Sequence, residues 1–219
     1  QADTISAFAK AVTYNISDTA ANITAASAAA RNEAVNITST TNALYSEAKA
    51  ISDATNGGSN TYNVDDTTAA IVAGIATDSV TLLGAGTRTA NDNANFAQAL
   101  TMAQLSEEIV YNISDIAGNI PATVNQGLHE AVNITVTNNV TFAKAKVIDD
   151  GTNSGSNTSN ISDSAANLVS GIGTSLAPIN GAGTVTAADD ANANQANTIS
   201  GISKAIVFSL NDTAANIVS

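Results

Sequence analysis

The strongest constraint on the fold of this chain is an internal repeat with a period of 97 residues. Shifted by 97 positions, the segment YNISD at 14–18 falls on the same five residues at 111–115. Without any gap, AVNIT at 34–38 falls on AVNIT at 131–135. Periodic self-similarity built from short segments is typical of solenoid proteins. We therefore expect a single continuous solenoid over 1–219, with repeats at 1–97 and 98–194 and a partial repeat at 195–219.

Each 97-residue repeat contains smaller divisions. Relatives of the YNISD segment recur at 62–66, 159–163 and 208–212, and further strand-like runs lie near 35–40, 85–90, 132–137 and 182–187. These runs divide the chain into coils of about 24 residues, each with a short strand, which is the size of a solenoid coil.

The spacing of apolar residues changes within a coil. Met102, Leu105 and Ile109 have helical spacing, whereas Tyr14 and Ile16 alternate with polar residues as in a strand. Helical spacing returns at 120, 124 and 128 and at 168, 172 and 176. We predict an α/β repeat solenoid of stacked strand–helix coils, leucine-rich-repeat-like in form, with a parallel sheet on one side. An all-β solenoid is the alternative, because Thr, Asn and Ile also suit strands.

Two sets of polar residues recur with the strands. An aspartate ends each YNISD-like segment and is placed to cap the next helix, which predicts structural caps at Asp18, Asp66, Asp115, Asp163 and Asp212. An asparagine precedes the buried position of four strands, which predicts an exposed row whose amides hydrogen-bond along the sheet, at Asn15, Asn63, Asn112 and Asn160.

Composition excludes several partners and sites. Seven basic residues against 19 acidic ones give a net charge of −12, so phosphate backbones would be repelled and nucleic acid is not an expected partner. No apolar run is long enough to predict a membrane span. The absence of cysteine rules out disulfides and thiolate metal sites in these 219 residues.

No catalytic motif is recognisable, and we predict that the chain is not an enzyme. The single histidine, His129, does not recur between repeats, nor do Arg31 and Arg88. No cofactor is predicted. Calcium loops of the EF-hand or glycine-rich nonapeptide type are lacking, so weak calcium binding is considered only at the adjacent acid pairs Asp65–Asp66, Asp149–Asp150 and Asp189–Asp190.

The segments YNISDTAANI at 14–23, NISDSAANL at 160–168 and SLNDTAANIVS at 209–219 carry a family resemblance. They are similar to the DTAAN-type repeats of very large secreted surface proteins of cyanobacteria and other bacteria. The resemblance implies an extracellular or cell-surface location and no enzymatic residues.

These observations favour a structural extracellular repeat protein that forms a fibre, sheath or surface layer by end-to-end stacking of coils. Ile5, Phe8 and Ile217 lie in ordinary repeat sequence near the two ends, so we expect self-association or continuation of the same array. The alternative is an adhesin stalk or carbohydrate-binding module with surface polysaccharide as its partner. A polysaccharide-degrading enzyme ranks last, because no carboxylates concentrate on adjacent coils.

Overall fold

A computed structural model of the protein describes residues 1–8 and 12–217. The chain divides into two compact units, one formed by Gln1–Asn93 with Thr101–Tyr111 and the other by Ala94–Leu100 with Asn112–Ser219. In both, short parallel strands alternate with helices, which confirms the predicted mixture of helices and parallel strands. The all-β alternative is not the fold of the described residues.

The first unit contains two groups of paired strands. Its strands are β1 (Ile16–Asp18), β2 (Ile37–Ser39), β3 (Asn60–Thr61), β4 (Val64–Asp66) and β5 (Arg88–Ala94), the last of which ends at the unit boundary. Its helices are α1 (Ala2–Ser6), α2 (Ala20–Ala25), α3 (Ala28–Glu33), α4 (Tyr45–Ser52) and α5 (Thr68–Leu83). Strand β2 lies between β1 and β3, and β4 pairs with β5, all in parallel.

The second unit repeats this arrangement. Its strands are β6 (Val110–Asp115), of which residues 112–115 belong to this unit, β7 (Ile134–Val136), β8 (Asn157–Thr158), β9 (Ile161–Asp163), β10 (Val185–Ala191) and β11 (Val207–Leu210). Its helices are α6 (Phe96–Met102), of which residues 96–100 belong to this unit, α7 (Gln126–Glu130), α8 (Phe142–Asp149), α9 (Ala165–Thr174), α10 (Ala177–Gly181), α11 (Ala193–Ser200) and α12 (Ala214–Ile217), with a 3₁₀ turn at Ala117–Asn119. Strand β7 lies between β6 and β8, and β10 lies between β9 and β11, again in parallel.

The 97-residue period of the sequence is also a period of the structure. Helices α4 and α8 begin and end 97 residues apart, as do the strand pairs β3 with β8, β4 with β9 and β5 with β10. A break inside α5 at Asp78, where φ is −160°, recurs as the end of α9 at Ser175, also with φ −160°. A coil of this structure is the segment that runs from one strand to the next strand paired with it.

The core is thin and made largely of aliphatic side chains. Fully buried residues include Ile37, Ile51 and Ile71 in the first unit and Leu128, Ile134 and Leu168 in the second. Helix packing is closest at two glycines that face aromatic rings: a Cβ at Gly74 would meet the ring of Tyr45, and one at Gly171 would meet the ring of Phe142. These positions are 97 residues apart, so the same close approach is built twice.

Some predicted helices are shorter than their apolar spacing suggests. Helix α6 ends at Met102, so Leu105 and Ile109 lie beyond it. The helix predicted through positions 120, 124 and 128 is wrong, because the chain forms a 3₁₀ turn and then α7 instead. Proline disfavours helical backbone in the residue before it, and Ile120, which precedes Pro121, has an extended ψ of 128°.

Candidate functional site: side chains that join successive coils

The five predicted cap aspartates lie one residue before the helix caps. The N-cap residues are Thr19, Thr67 and Ser164, whose hydroxyls accept the N–H of the third residue on at 3.1–3.3 Å. Their ψ angles near 150° keep the chain extended until after the cap. Each aspartate accepts the N–H of the next residue at 2.7–2.8 Å, and this holds for Asp18, Asp66, Asp115, Asp163 and Asp212. The cap prediction is therefore corrected by one position.

In all of these aspartates except Asp18, the second carboxylate oxygen accepts a hydrogen bond from the preceding coil. Asp66 Oδ2 accepts the N–H of Tyr45 at 2.8 Å, and Asp163 Oδ2 accepts that of Phe142 at 2.9 Å. Asp115 and Asp212 do the same with Phe96 and Ala193 at 3.0 Å. The accepted N–H belongs to the start of a helix, where backbone donors have no partner within the helix. One carboxylate thus accepts a backbone N–H of its own coil through one oxygen and a helix-start N–H of the preceding coil through the other.

Other side chains perform the same task on the intervening coils. Thr41 accepts the N–H of Ala20 at 3.2 Å, and Asn138 accepts that of Ala117 at 2.6 Å. Asp92 and Asp189 accept the N–H groups of Thr68 and Ala165, both at 2.6 Å. We call these acceptors, together with the equivalent aspartate of the first coil, the acceptor row; its members are Asp18, Thr41, Asp66, Asp92, Asp115, Asn138, Asp163, Asp189 and Asp212.

Sequence reasoning predicts five of the nine members of the acceptor row and misses the other four. The sequence patterns place Asp189 only in an acid pair, and they do not distinguish Thr41, Asp92 or Asn138 from other polar residues. The available signal was the recurrence of a polar acceptor at 97 residues, Asp92 with Asp189 and Thr41 with Asn138.

Hydrogen bonding perturbs the titration of several row members. The pKa of Asp212 is lowered by the N–H of Ala193, the amide of Asn216 and the N–H of Thr213. The hydroxyl and N–H of Thr68 lower the pKa of Asp92. At Asp115, burial opposes the shift, but donors from two coils still hold the pKa below its usual value. These carboxylates are therefore held as anions at neutral pH.

The predicted asparagine row bonds to the following coil. The Oδ1 atoms of Asn15, Asn63, Asn112 and Asn160 accept N–H groups of the next coil at 2.9–3.1 Å. Amide-to-amide bonds are added where the next coil also supplies an asparagine, at Asn15–Asn36 (2.9 Å) and Asn112–Asn133 (2.8 Å). Asn112 is half-buried and the other three are exposed. The row lies at the start of its strands and joins coils in the opposite direction to the acceptor row.

Basic side chains cover free backbone carbonyls. Arg31 donates to three carbonyls at the C-terminal end of α2, and Lys144 donates to the carbonyl of Ala117. Arg88, only 6% exposed, donates to Leu82 and Ala85, among other carbonyls. In the second repeat Val185 replaces Arg88, and Lys204 donates to the carbonyl of Ala182 instead. The remaining basic residues of the described chain, Lys49 and Lys146, pair with aspartates.

The adjacent acid pairs are used in other contacts. Asp65 accepts the amides of Asn42 and Asn91, and Asp150 pairs with Lys146 at 2.6 Å. Burial and the neighbouring charge of Asp150 raise the pKa of Asp149. Residues 1–8 and 12–217 hold no cluster of three or more His, Asp or Glu side chains suited to a metal ion.

Two shallow grooves adjoin the acceptor row. One, of about 430 Å³, lies beside Tyr14, Asp18 and Asn22 in the first unit. The other, of about 370 Å³, lies beside Phe96 and Asp115 in the second unit. Each groove has an aspartate of the row on its wall.

Comparison with known proteins gives no relative: no family model, no curated protein and no solved structure matches the chain. Across the described part of the chain, none of the helices is both long and apolar enough to cross a lipid bilayer.

Proposed function

We propose that this chain is a structural extracellular repeat protein, a continuous α/β solenoid that builds a fibre, sheath or surface layer by end-to-end stacking of coils. The observation that carries the proposal is the acceptor row. Its polar side chains recur coil after coil, and they are engaged with backbone N–H groups of the neighbouring coil rather than gathered around a common point. Such side chains stabilise an array without binding a ligand.

The pairing of strands supports the same proposal. Registers such as Ile16 with Ile37 and Ile113 with Ile134 place each strand 21 residues after its partner, and Val64 with Arg88 gives 24 residues. Stability in a solenoid comes from interfaces between neighbouring repeats, so adding coils extends the protein without a new core. The extracellular location rests on the resemblance of segments such as 14–23 to secreted surface repeats.

Electron microscopy of the purified chain tests the proposal. Four coils per 97-residue repeat at the strand spacing of ~4.8 Å predict an axial rise of about 19 Å per repeat. Filaments or sheets with this rise support a structural role, and particles that stay discrete at every concentration contradict it. Immunogold labelling of intact source cells tests the extracellular location, which internal labelling alone would contradict.

The second candidate function is an adhesin stalk or carbohydrate-binding module. The groove beside Asp115 favours it, because Asn95, Asn119 and Asn125 line that groove together with Phe96. Side-chain amides both donate and accept hydrogen bonds, so they suit the hydroxyl groups of a sugar. Titration calorimetry with acidic and neutral polysaccharides tests this function, and Asn125→Ala should weaken any binding that occurs there.

A further inference from the structure

The sequence contains nine tripeptides of the form Asn-X-Ser/Thr, the acceptor signal for N-linked oligosaccharides. An attached oligosaccharide is bulky and hydrated, and its asparagine belongs in a surface loop. A fold accommodates it best at an asparagine that faces solvent and makes no other bond. The nine asparagines are Asn15, Asn22, Asn36, Asn112, Asn133, Asn139, Asn157, Asn160 and Asn211.

Eight of these asparagines already have hydrogen-bond partners. The amide nitrogen donates to a neighbouring side chain or carbonyl at Asn22, Asn36, Asn133, Asn157 and Asn211. The amide oxygen accepts an N–H of the next coil at Asn15, Asn112 and Asn160. Within residues 1–8 and 12–217, Asn139 is the one acceptor asparagine whose side chain makes no hydrogen bond.

Asn139 lies on an anchored turn between β7 and α8, and its side chain is exposed. On one side of it, Asn138 accepts the N–H of Ala117 at 2.6 Å. On the other side, Val140 is 1% exposed and donates its N–H to the carbonyl of Asn160 at 2.8 Å. Because both neighbours are held by other coils, the turn presents Asn139 to solvent in a fixed position.

The hydroxyl that completes the signal is exposed as well. Thr141 is the N-cap of α8, and its Oγ1 accepts the N–H of Lys144 at 3.3 Å. A threonine hydroxyl can donate and accept at the same time, so this bond leaves its O–H available. The amide and the hydroxyl of the signal therefore lie together on the surface.

The first repeat shows what distinguishes this turn. The equivalent asparagine there, Asn42, donates its amide to Asp65 Oδ2 at 3.3 Å, and Leu44 takes the place of the threonine. In the second repeat Ser162 stands at the equivalent of Asp65, and Thr141 stands at the equivalent of Leu44. Two differences at one turn thus release the amide from its partner and complete the acceptor signal.

We propose that Asn139 is a site of N-glycosylation. Its Nδ2 forms a bond to the anomeric carbon of the first sugar of a lipid-linked oligosaccharide diphosphate. The bond from that carbon to the diphosphate oxygen breaks, the lipid diphosphate leaves with the electron pair, and one amide proton passes to a base of the transferase. The inference rests on the proposed extracellular function, because secretion brings the chain to the donor.

Mass spectrometry of peptides from the native protein tests the site. A peptide that contains Asn139 should carry an oligosaccharide, and enzymatic release of the glycan should leave an aspartate at position 139. An unmodified Asn139 in the native protein overturns the inference, and so does modification confined to the other eight signals.

Transfer to the folded chain tests the structural argument. Chain produced without glycosylation is incubated with a purified oligosaccharyltransferase and its lipid-linked donor, and an acceptor peptide confirms that the enzyme is active. The unmodified chain should gain one oligosaccharide, and Asn139→Gln should gain none. Circular dichroism confirms that each variant is folded.

The first repeat supplies a matched control. Leu44→Thr/Asp65→Ser rebuilds the turn of the second repeat and should gain a further oligosaccharide at Asn42. Leu44→Thr alone keeps the bond from Asn42 to Asp65 and should be modified there roughly threefold or more slowly than the double variant. Equal rates at Asn42 would show that release of the amide does not govern modification, which contradicts the argument.

The outcomes separate this inference from the proposed function. An unmodified Asn139 in protein that immunogold labelling places outside the cell overturns the inference and leaves the structural extracellular role. Discrete particles whose Asn139 carries an oligosaccharide overturn assembly by coil stacking and support the inference.

Discussion

The two repeats carry a carbonyl-binding cation at different positions, and this difference tests how coils are stabilised. In the first repeat Arg88 donates to the carbonyls of Leu82 and Ala85, and Glu107 lies 4.0 Å from its guanidinium. In the second repeat the equivalents are Val185 and Lys204, and Lys204 covers the carbonyl of Ala182. The cation therefore stands at position 88 in the first repeat and at the equivalent of position 107 in the second. The carbonyls that accept from it, those of Ala85 and Ala182, are equivalent in the two repeats.

Replacing Arg88 with valine removes four hydrogen bonds to carbonyls, two of them buried. Hydrogen bonds to charged groups contribute ~1.5–3 kcal/mol each, and part of the loss is recovered because a charge no longer has to be buried. Arg88→Val should therefore lower the free energy of unfolding of the first unit by about 2–4 kcal/mol. Adding Glu107→Lys reproduces the second repeat, and the double variant should regain at least ~1 kcal/mol through coupling.

Urea denaturation followed by tyrosine fluorescence measures this effect in the correct unit. All four tyrosines lie in the first unit and there is no tryptophan, so the signal reports that unit alone. With a slope of ~2 kcal/mol per M, the midpoint should fall by about 1–2 M for Arg88→Val.

Glu107→Lys in the presence of Arg88 is the control, and it should be mildly destabilising because it places two cations close together. A double variant that is no more stable than Arg88→Val would show that the introduced lysine does not take over the role of Arg88. The same would follow if Glu107→Lys stabilised the chain equally with and without Arg88.

Three further predictions concern glycine packing, the acceptor row and pH. Gly171→Ala should destabilise the second unit by ~1–3 kcal/mol, because the added Cβ would lie 2.6 Å from the ring of Phe142. Gly173→Ala, where a Cβ meets open space, should instead stabilise the unit by ~0.5–1 kcal/mol. Thermal melts measure both variants, and equal effects would contradict this packing. Asp163→Asn loses one of three accepted hydrogen bonds and places its amide NH₂ opposite a backbone N–H, so the free energy of unfolding should fall by ~1.5–3 kcal/mol. Asp189→Asn keeps its accepted bond and should lower the free energy of unfolding by less than ~1 kcal/mol. Urea denaturation measures both variants, and the reverse order would show that the acceptor row does not act through its N–H contacts. The lowered pKa of Asp212 contributes stability that is present above the unfolded value of 3.8 and is lost as the pH falls through the folded value. Since more aspartate pKa values are lowered than raised, melting followed by circular dichroism should give a lower midpoint at about pH 3 than at about pH 6, and an unchanged midpoint would contradict this.

The strands could be predicted from the sequence because their signal is local. Alternation around Ile16 and Ile161, repeated every 97 residues, located β1 and β9 within a residue or two. Helix ends were less predictable, because apolar spacing continues past the points where the backbone stops being helical. At Ile120 the decisive signal was the following proline, which outweighs the spacing.

The acceptor row could be predicted only in part, because its function depends on which backbone group lies opposite. Asp66 and Asp163 were found because they follow a strand, but their second contact joins residues 21 apart. Thr68 and Ala165 are paired with acids 24 residues later, and nothing in the local sequence indicates this. Long-range pairing of this kind follows from strand register and becomes visible only when the register is known.

The direction of the acceptor row has a consequence for synthesis on the ribosome. The helix-start N–H of Tyr45 or Ala165 is satisfied only by a side chain that is translated more than 20 residues later. A coil that has just left the exit tunnel therefore keeps an open donor until its successor has emerged. Folding of the nascent chain should accordingly trail translation by one coil, and a ribosome that pauses between coils leaves the newest helix only partly secured.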